Sequence, residues 1–165
     1  MQSKFLSLLT TSILSGLVGS SFIATANHLP ALSETTSAQA TENQVERGGL
    51  FVNLTTDDTW TANMAISLAH NALKKGHQPT TIFLNVRGVY LVDRERLPAT
   101  EGNSNLNIHQ KLQAFIQDGG KVIVCPSCSR EAGLTQADFI EGVVLGEQGA
   151  ALPLLFDPNT VTVSY

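Results

Sequence analysis

Short apolar runs alternate with longer amphipathic segments over residues 49–165. Residues 50–54, 80–86 and 122–124 form runs of the length expected for buried strands. The segments between them place apolar residues three and four positions apart, as helices do. This order is typical of βαβ units, in which parallel strands are joined by helices that cross the sheet. We predict an α/β fold: a three-layer α/β/α arrangement with a mostly parallel, doubly wound sheet of about five strands.

Two longer helices are expected between the predicted strands. The first has apolar residues at positions 62, 66, 69 and 73, and Asp57 and Asp58 before it suit an N-cap. The second has apolar residues at positions 108, 112, 115 and 116 and ends at residues 118–120. Residues 87–106 contain several Gly and Pro breakers, so we expect a loop there.

The last third of the chain is expected to hold shorter elements. We predict a helical segment from residue 126 to residue 132, another from residue 135 toward residue 145, and a short one near residues 150–156. Residues 161–163 alternate in character and should form an outer strand.

The N-terminal residues have the pattern of an export signal. Residues 1–26 contain one charge, Lys4, a weakly apolar run and a small-x-small site at residues 24–26. A second such site at residues 38–40 allows later cleavage, and an uncleaved segment would be long enough for a membrane anchor. We expect a signal peptide, a flexible linker over residues 27–48, and one folded domain over residues 49–165. The mature protein would then be extracytoplasmic, in the periplasm or secreted.

Composition excludes several classes of protein. With 42% hydrophobic and 15% charged residues, the chain is neither a disordered polyelectrolyte nor a coiled coil. A net charge of −4 argues against nucleic-acid binding. Its 165 residues suit a single domain, which needs no disulfide scaffold at this size.

The two cysteines are the strongest chemical signal. Cys125 and Cys128 form a C-x-x-C directly after a predicted buried strand, where a helix begins. Unpaired amides and the helix dipole favour a thiolate at such a position, which could attack a disulfide or accept sulfane sulfur. A structural disulfide is an alternative in an oxidising compartment. A zinc site would need further ligands at suitable spacing, so we expect no metal.

Other candidate residues follow the predicted strands at the same sheet edge, where ligands bind in open α/β sheets. Arg87 could stabilise a thiolate or bind an anionic sulfur compound, and Arg130 could do the same from the next helix. Gly88 and Tyr90 would shape the loop, and stacking of Tyr90 against a ligand is an alternative role for that residue.

Three stretches of the sequence resemble the DsrE/DsrF/TusD-like family. CPSCSREAGLTQADFIEGVVLG resembles its cysteine block, KKGHQPTTIFLNVRGVY its second strand and loop, and NTVTVSY its closing strand. The resemblance extends over the folded part and implies a trimeric or hexameric α/β protein that carries a persulfide, with no other cofactor. It places the acceptor at Cys125, eight residues before Gly133, with Cys128 matching the second cysteine of some members.

The expected function is therefore an exported sulfur-handling or thiol-redox protein. Cys125 would act as a sulfurtransferase-like or disulfide-exchanging nucleophile, with a sulfur donor or redox protein as partner. The family's sulfur-relay members are cytoplasmic, so an exported chain departs from that pattern. The alternative is a non-catalytic oligomeric binding module in which the disulfide is structural.

Overall fold

The structure is a computed structural model, which describes residues 47–100 and 104–165. The signal segment, and almost all of the linker, that the sequence predicts therefore lie outside the described residues. The described residues form one compact unit. Its strands are β1 (Gly49–Leu54), β2 (Thr80–Leu84), β3 (Lys121–Val124), β4 (Val144–Leu145) and β5 (Thr160–Ser164). Its α-helices are α1 (Thr59–Lys74), α2 (Ile108–Gln117), α3 (Pro126–Glu131) and α4 (Leu152–Leu155).

The five strands form one parallel sheet in the order β4-β3-β2-β1-β5. Successive steps from β1 to β3 run in one direction, and right-handed crossovers place α1 and α2 on the same face. The connection from β4 to β5 runs in the opposite direction, and α4 within it contacts β5. The predicted parallel α/β fold is confirmed, including the outer position of the last strand.

The main core lies between the sheet and helices α1 and α2. Alternate residues of the strands point to this face, and they include Leu50, Val52 and Leu54 of β1. Small residues on α1, including the fully buried Ala62, let the helix lie close against β1 and β2. On the other face, the rings of Phe51 and Phe83 stack at a centroid distance of 5.9 Å.

Local side-chain chemistry sets the starts of both long helices. Asp58 is the N-cap of α1, and its carboxylate accepts a hydrogen bond from the Thr61 amide at 2.9 Å. Asn107 caps α2 in a capping box, in which its side chain and that of Gln110 bond each other's backbone amides at 2.9 and 3.0 Å. The sequence predicted Asp57 as a second capping residue, but its carboxylate binds arginine side chains instead.

Two sequence expectations are wrong about local structure. The predicted loop begins with a 3₁₀ helix, Val86–Val92, because Val89, Leu91 and Val92 are buried in the core and hold the segment. The helix predicted from residue 135 toward residue 145 is a short 3₁₀ turn followed by β4. Gly142 at φ +83° interrupts that segment, which a continuous helix would not allow.

No helix among the described residues is long and apolar enough to cross a membrane.

Candidate functional site

Segments that follow β2 and β3 form a cleft at the carboxyl edge of the sheet. The cleft has a volume of about 480 Å³. Cys128, Arg87 and Tyr90, three of the residues predicted from the sequence, line it. The remaining lining residues are Val86, Ser127, Glu131 and Ala132. The expected convergence of the segments that follow the strands is therefore present in the fold.

The backbone holds the C-x-x-C in place at both ends. The Cys125 amide donates a hydrogen bond to the Leu84 carbonyl at 2.8 Å, which extends the pairing of β2 and β3. The Cys125 carbonyl accepts from the Ser129 amide at 2.9 Å, so Cys125 is the N-cap residue of α3. Pro126 stands at the first helical position, where its missing N–H costs no hydrogen bond. Both cysteines are half-buried free thiols.

The Cys128 thiol holds its proton more tightly than an ordinary cysteine. Burial raises its pKa most, and the hydrogen bond to the Cys125 sulfur raises it further. A hydrogen bond from the Val86 backbone amide acts in the opposite direction and lowers the pKa. The sequence led us to expect a thiolate at this helix start, and for Cys128 the environment favours the thiol instead.

Val86 has an unusual backbone conformation beside this thiol. Its φ of +49° lies in the left-handed region, which is rare for a β-branched residue. Such a conformation costs on the order of 1–3 kcal/mol, and residues of this kind cluster at functional sites. The Val86 backbone amide acts as a donor that lowers the Cys128 pKa, against the larger effect of burial. The sequence predicted a strand through Val86 and gave no sign of this donor.

Gly88 allows the 3₁₀ helix to approach the end of β1. A Cβ added at Gly88 would lie 2.3 Å from the Leu54 carbonyl oxygen, so any side chain would push the segments apart. The Gly88 amide donates to the carbonyls of Asn85 at 2.8 Å and Thr55 at 3.2 Å. Gly88 does not line the cleft, but its close backbone approach fits the loop-shaping role that the sequence suggested.

Arg87 binds a carboxylate that the sequence analysis assigned differently. Its Nε and Nη2 donate to the two carboxylate oxygens of Asp57 at 2.8 and 2.7 Å. Arg96 donates to the same carboxylate at 3.2 Å, and its guanidinium lies 3.9 Å from the centroid of the Tyr90 ring. These hydrogen bonds, above all the one from Arg87, hold the Asp57 pKa below 3.8 although burial opposes the shift.

Two residues near the cleft were missed by sequence reasoning and one was placed differently. Arg96 lies in the long connection that looked like a loop, and no local signal marks its contact with Tyr90. Glu131 lines the cleft, and its position three residues after Cys128 on α3 could have shown this. Arg130 does not line the cleft, and its guanidinium lies 3.4 Å from the Ser127 hydroxyl on an exposed surface.

The described residues hold no group of three or more His, Cys, Asp or Glu side chains able to bind a metal ion.

The sequence profile of the DsrE/DsrF-like family matches residues 50–155. The chain belongs to this family. It is also 36% identical over 84 residues to the uncharacterized protein MK0008 of Methanopyrus kandleri. That alignment spans 51% of this chain and 65% of the length of the relative.

Solved structures share the fold at lower sequence identity. The ychN protein from E. coli superposes with a TM-score of 0.58 at 20% identity, over 70% of this chain and 99% of that one. A protein of unknown function, MTH1491 from Methanobacterium thermoautotrophicum, superposes with a TM-score of 0.55 at 16% identity, over 72% and 99% of the two chains. Both have the DsrE-like fold, and at these identities the likeness concerns the fold alone.

Proposed function

We propose that this chain is an exported sulfur-handling protein in which Cys125 carries a persulfide and Cys128 resolves it. Membership of the DsrE/DsrF-like family, whose members typically act in sulfur relay, supports the proposal at the coarse level. The observation that carries it is the pair of neighbouring free thiols at the start of α3, one of which lines a cleft.

The chemistry needs only the two cysteines and a persulfide donor. The Cys125 thiolate attacks the outer sulfur of the donor, the donor's S–S bond breaks, and the electron pair leaves on the donor thiolate. Cys128, deprotonated, then attacks the sulfur of Cys125 that is bonded to its Cβ. A Cys125–Cys128 disulfide forms, hydrosulfide leaves with the electron pair, and an external dithiol restores the two thiols.

The environment of Cys128 suits the second step. Because burial and the hydrogen bond to Cys125 raise its pKa, Cys128 stays protonated while the first thiol reacts. Loss of that hydrogen bond in the persulfide removes the second-largest cause of the raised pKa, while burial still raises the pKa and the Val86 amide still lowers it. Cys128 would therefore lose its proton more easily after loading than before it.

Disulfide exchange with a protein partner would begin with the same attack by the Cys125 thiolate, but the substrate would be a disulfide of the partner and not a persulfide. A thiol-redox role would show the pair cycling between dithiol and disulfide, with no additional sulfur on the protein.

The test is the intact mass of the protein purified from the exported fraction without reductant, and again after incubation with a persulfide donor. We expect a signal-cleaved chain whose wild-type form ends as the Cys125–Cys128 disulfide and releases hydrosulfide, and the mass also gives the cleavage site. The Cys128→Ser variant should accumulate persulfide because resolution is blocked, and Cys125→Ser should gain none. The double variant is the matched control, since the chain has only these two cysteines.

Three outcomes contradict this proposal. A full-length mass in the cell fraction would overturn export. A stable disulfide that resists mild reductants would support a structural module. A labile disulfide in the wild-type protein, together with a Cys128→Ser variant that gains no sulfur from the donor, would support redox exchange.

A further inference from the structure

The cleft beside Cys128 carries two opposite charges that do not pair with each other. Arg87 and Glu131 both line it, yet the ion pair of Arg87 is with Asp57. Glu131 makes no ion pair or hydrogen bond with another side chain in the part of the chain that the structure describes. A positive and a negative group thus share one cavity with a thiol.

Arg87 keeps hydrogen-bonding capacity after it binds Asp57. A guanidinium has five N–H donors, and Asp57 takes one on Nε and one on Nη2. The Nη1 donors of Arg87 make no hydrogen bond within the described residues. The side chain is 63% exposed, so a carboxylate in the cleft can reach it without displacing Asp57.

Asp57 and Tyr90 hold this guanidinium in a defined place. The bidentate contact with Asp57 fixes the plane of the Arg87 head group. Its carbon lies 5.5 Å from the centroid of the Tyr90 ring, which also lines the cleft. Arg96 covers the same ring at 3.9 Å and shares Asp57, so Arg87 is part of an ordered cluster.

The cavity size suits a small molecule. A volume of about 480 Å³ is typical of small-molecule pockets and too small for a folded partner. A ligand that matches the lining needs a carboxylate for Arg87, an ammonium for Glu131 and a sulfur that reaches the cysteines.

We propose that the cleft binds the persulfide of a zwitterionic low-molecular-weight thiol, of cysteine or glutathione type, as sulfur donor. This inference rests on the proposed function, because it names the donor for the same thiol pair. Arg87 binds the carboxylate and Glu131 binds the ammonium, so the outer sulfur is held against the pair. Sulfur moves to Cys125 as the donor's S–S bond breaks, and the zwitterionic thiolate leaves with the electron pair.

Binding can be measured without any sulfur transfer. S-methylcysteine and S-methylglutathione keep both charges and cannot react, so ligand-detected NMR with the mature wild-type protein reports the cleft alone. We expect at least one of them to bind, which distinguishes the cysteine-sized from the glutathione-sized ligand. The probe 3-(methylthio)propionate lacks the ammonium and 2-(methylthio)ethylamine lacks the carboxylate, and we expect both to bind about tenfold or more weakly than S-methylcysteine.

Variants show which residues bind the carboxylate and the ammonium of the ligand. Arg87→Gln should weaken the binding of the zwitterionic probe about tenfold or more. Arg96→Gln is the control, because Arg96 also binds Asp57 but lies outside the cleft lining, and it should change binding far less. Glu131→Gln should lower the preference for the probe over 3-(methylthio)propionate. Glu141→Gln, an exposed acid outside the cleft, is its control.

Loading experiments separate this inference from the proposed function. One outcome is that inorganic polysulfide loads Cys125 to the same extent as cysteine persulfide, and that Arg87→Gln and Glu131→Gln leave loading unchanged. The zwitterionic donor is then wrong, and the persulfide function stands. If the probes bind but no donor loads either cysteine, the persulfide function is wrong and the cleft still recognises a zwitterion. If no probe binds, the inference is overturned.

Discussion

At the scale of single residues, burial and neighbouring groups determine the protonation of Cys128 more than its place in the C-x-x-C does. Cys128 stands in the first turn of α3, where a helix dipole alone would favour a thiolate. Burial and the hydrogen bond to Cys125 act in the opposite direction and prevail. The helix has six residues, and its dipole is correspondingly small.

This balance predicts the pH dependence of thiol modification. Below its raised pKa Cys128 is a thiol, so the midpoint of its alkylation profile should lie above the ordinary value of 9.0. Iodoacetamide pulses at a series of pH values, followed by peptide mass spectrometry, measure the midpoint independently of access. Replacing Cys125 by Ala removes the second-largest cause, so the midpoint should move part of the way down. A wild-type midpoint below the ordinary value would contradict this environment.

The Asp57 carboxylate predicts an acid-dependent loss of stability. Its pKa is lowered, so the ion pairs add stability above about pH 3.8 and are lost as pH falls through the lowered pKa. The difference in free energy of unfolding between wild type and Asp57→Asn should therefore be largest near neutral pH and shrink in acid.

Urea unfolding from about pH 3 to pH 7 measures that difference. Glu141→Gln replaces an exposed acid away from the cluster, and its effect should stay small throughout. A difference for Asp57→Asn that does not vary with pH would show that the carboxylate charge does not matter.

At the scale of elements, the helices are set locally and the connections are set by packing. Helix α2 begins where the capping box of Asn107 and Gln110 satisfies free amides. The 3₁₀ helix Val86–Val92 has no side-chain cap and is held by burial of its apolar residues. The first kind of element can be read from a few neighbouring residues, and the second cannot.

The capping box gives a prediction for α2. Asn107→Ala leaves helix amides without a partner and should lower the free energy of unfolding by about 1 kcal/mol, within the usual range of 0.5–2 kcal/mol. Urea unfolding at neutral pH measures the change. Gln117→Ala, at the exposed last position of the same helix, should change stability by much less. Equal effects of the two substitutions would contradict the capping role.

At the scale of the whole molecule, several large apolar side chains remain exposed. They include Phe156 at 82%, Trp60 at 68% and Val161 at 63% exposure. Scattered exposed apolar residues are common, but side chains of this size on a domain of this length favour a covered surface. The exposure adds to the expectation from family resemblance that copies of this chain associate.

We therefore predict that the mature protein is a homo-oligomer, a trimer or a hexamer. Sedimentation equilibrium over a range of protein concentrations measures the mass directly. A mass three or six times that of the chain is the expected result, and a monomer at all concentrations would contradict it. The double cysteine-to-serine variant should give the same mass, because the association would rest on apolar surface and not on disulfides.

Much of the fold followed from patterns that act over short distances. Strand runs, helical stripes and caps are set by neighbouring residues, so β1, α1, α2 and β3 could be predicted from the sequence. The 3₁₀ helix Val86–Val92 and the segment before β4 could not be predicted. Contacts with distant core residues determine their structure, whereas their Gly and Pro residues indicated a loop and their apolar spacing indicated a helix.

The sequence by itself determined the class of fold and the family, and it singled out Cys125 and Cys128 as the candidate reactive pair. These depend on periodicity and on the C-x-x-C placed after a strand, which are local properties. Only the tertiary structure decided that Cys128 lines the cleft, that Arg87 binds Asp57, and that Arg130 lies elsewhere. The contact of Arg87 with Asp57 joins residues thirty positions apart and depends on how β1 and β2 align in the sheet. The cleft beside Cys128 depends in the same way on how β2 and β3 align. No pattern of neighbouring residues predicts the alignment of these strands.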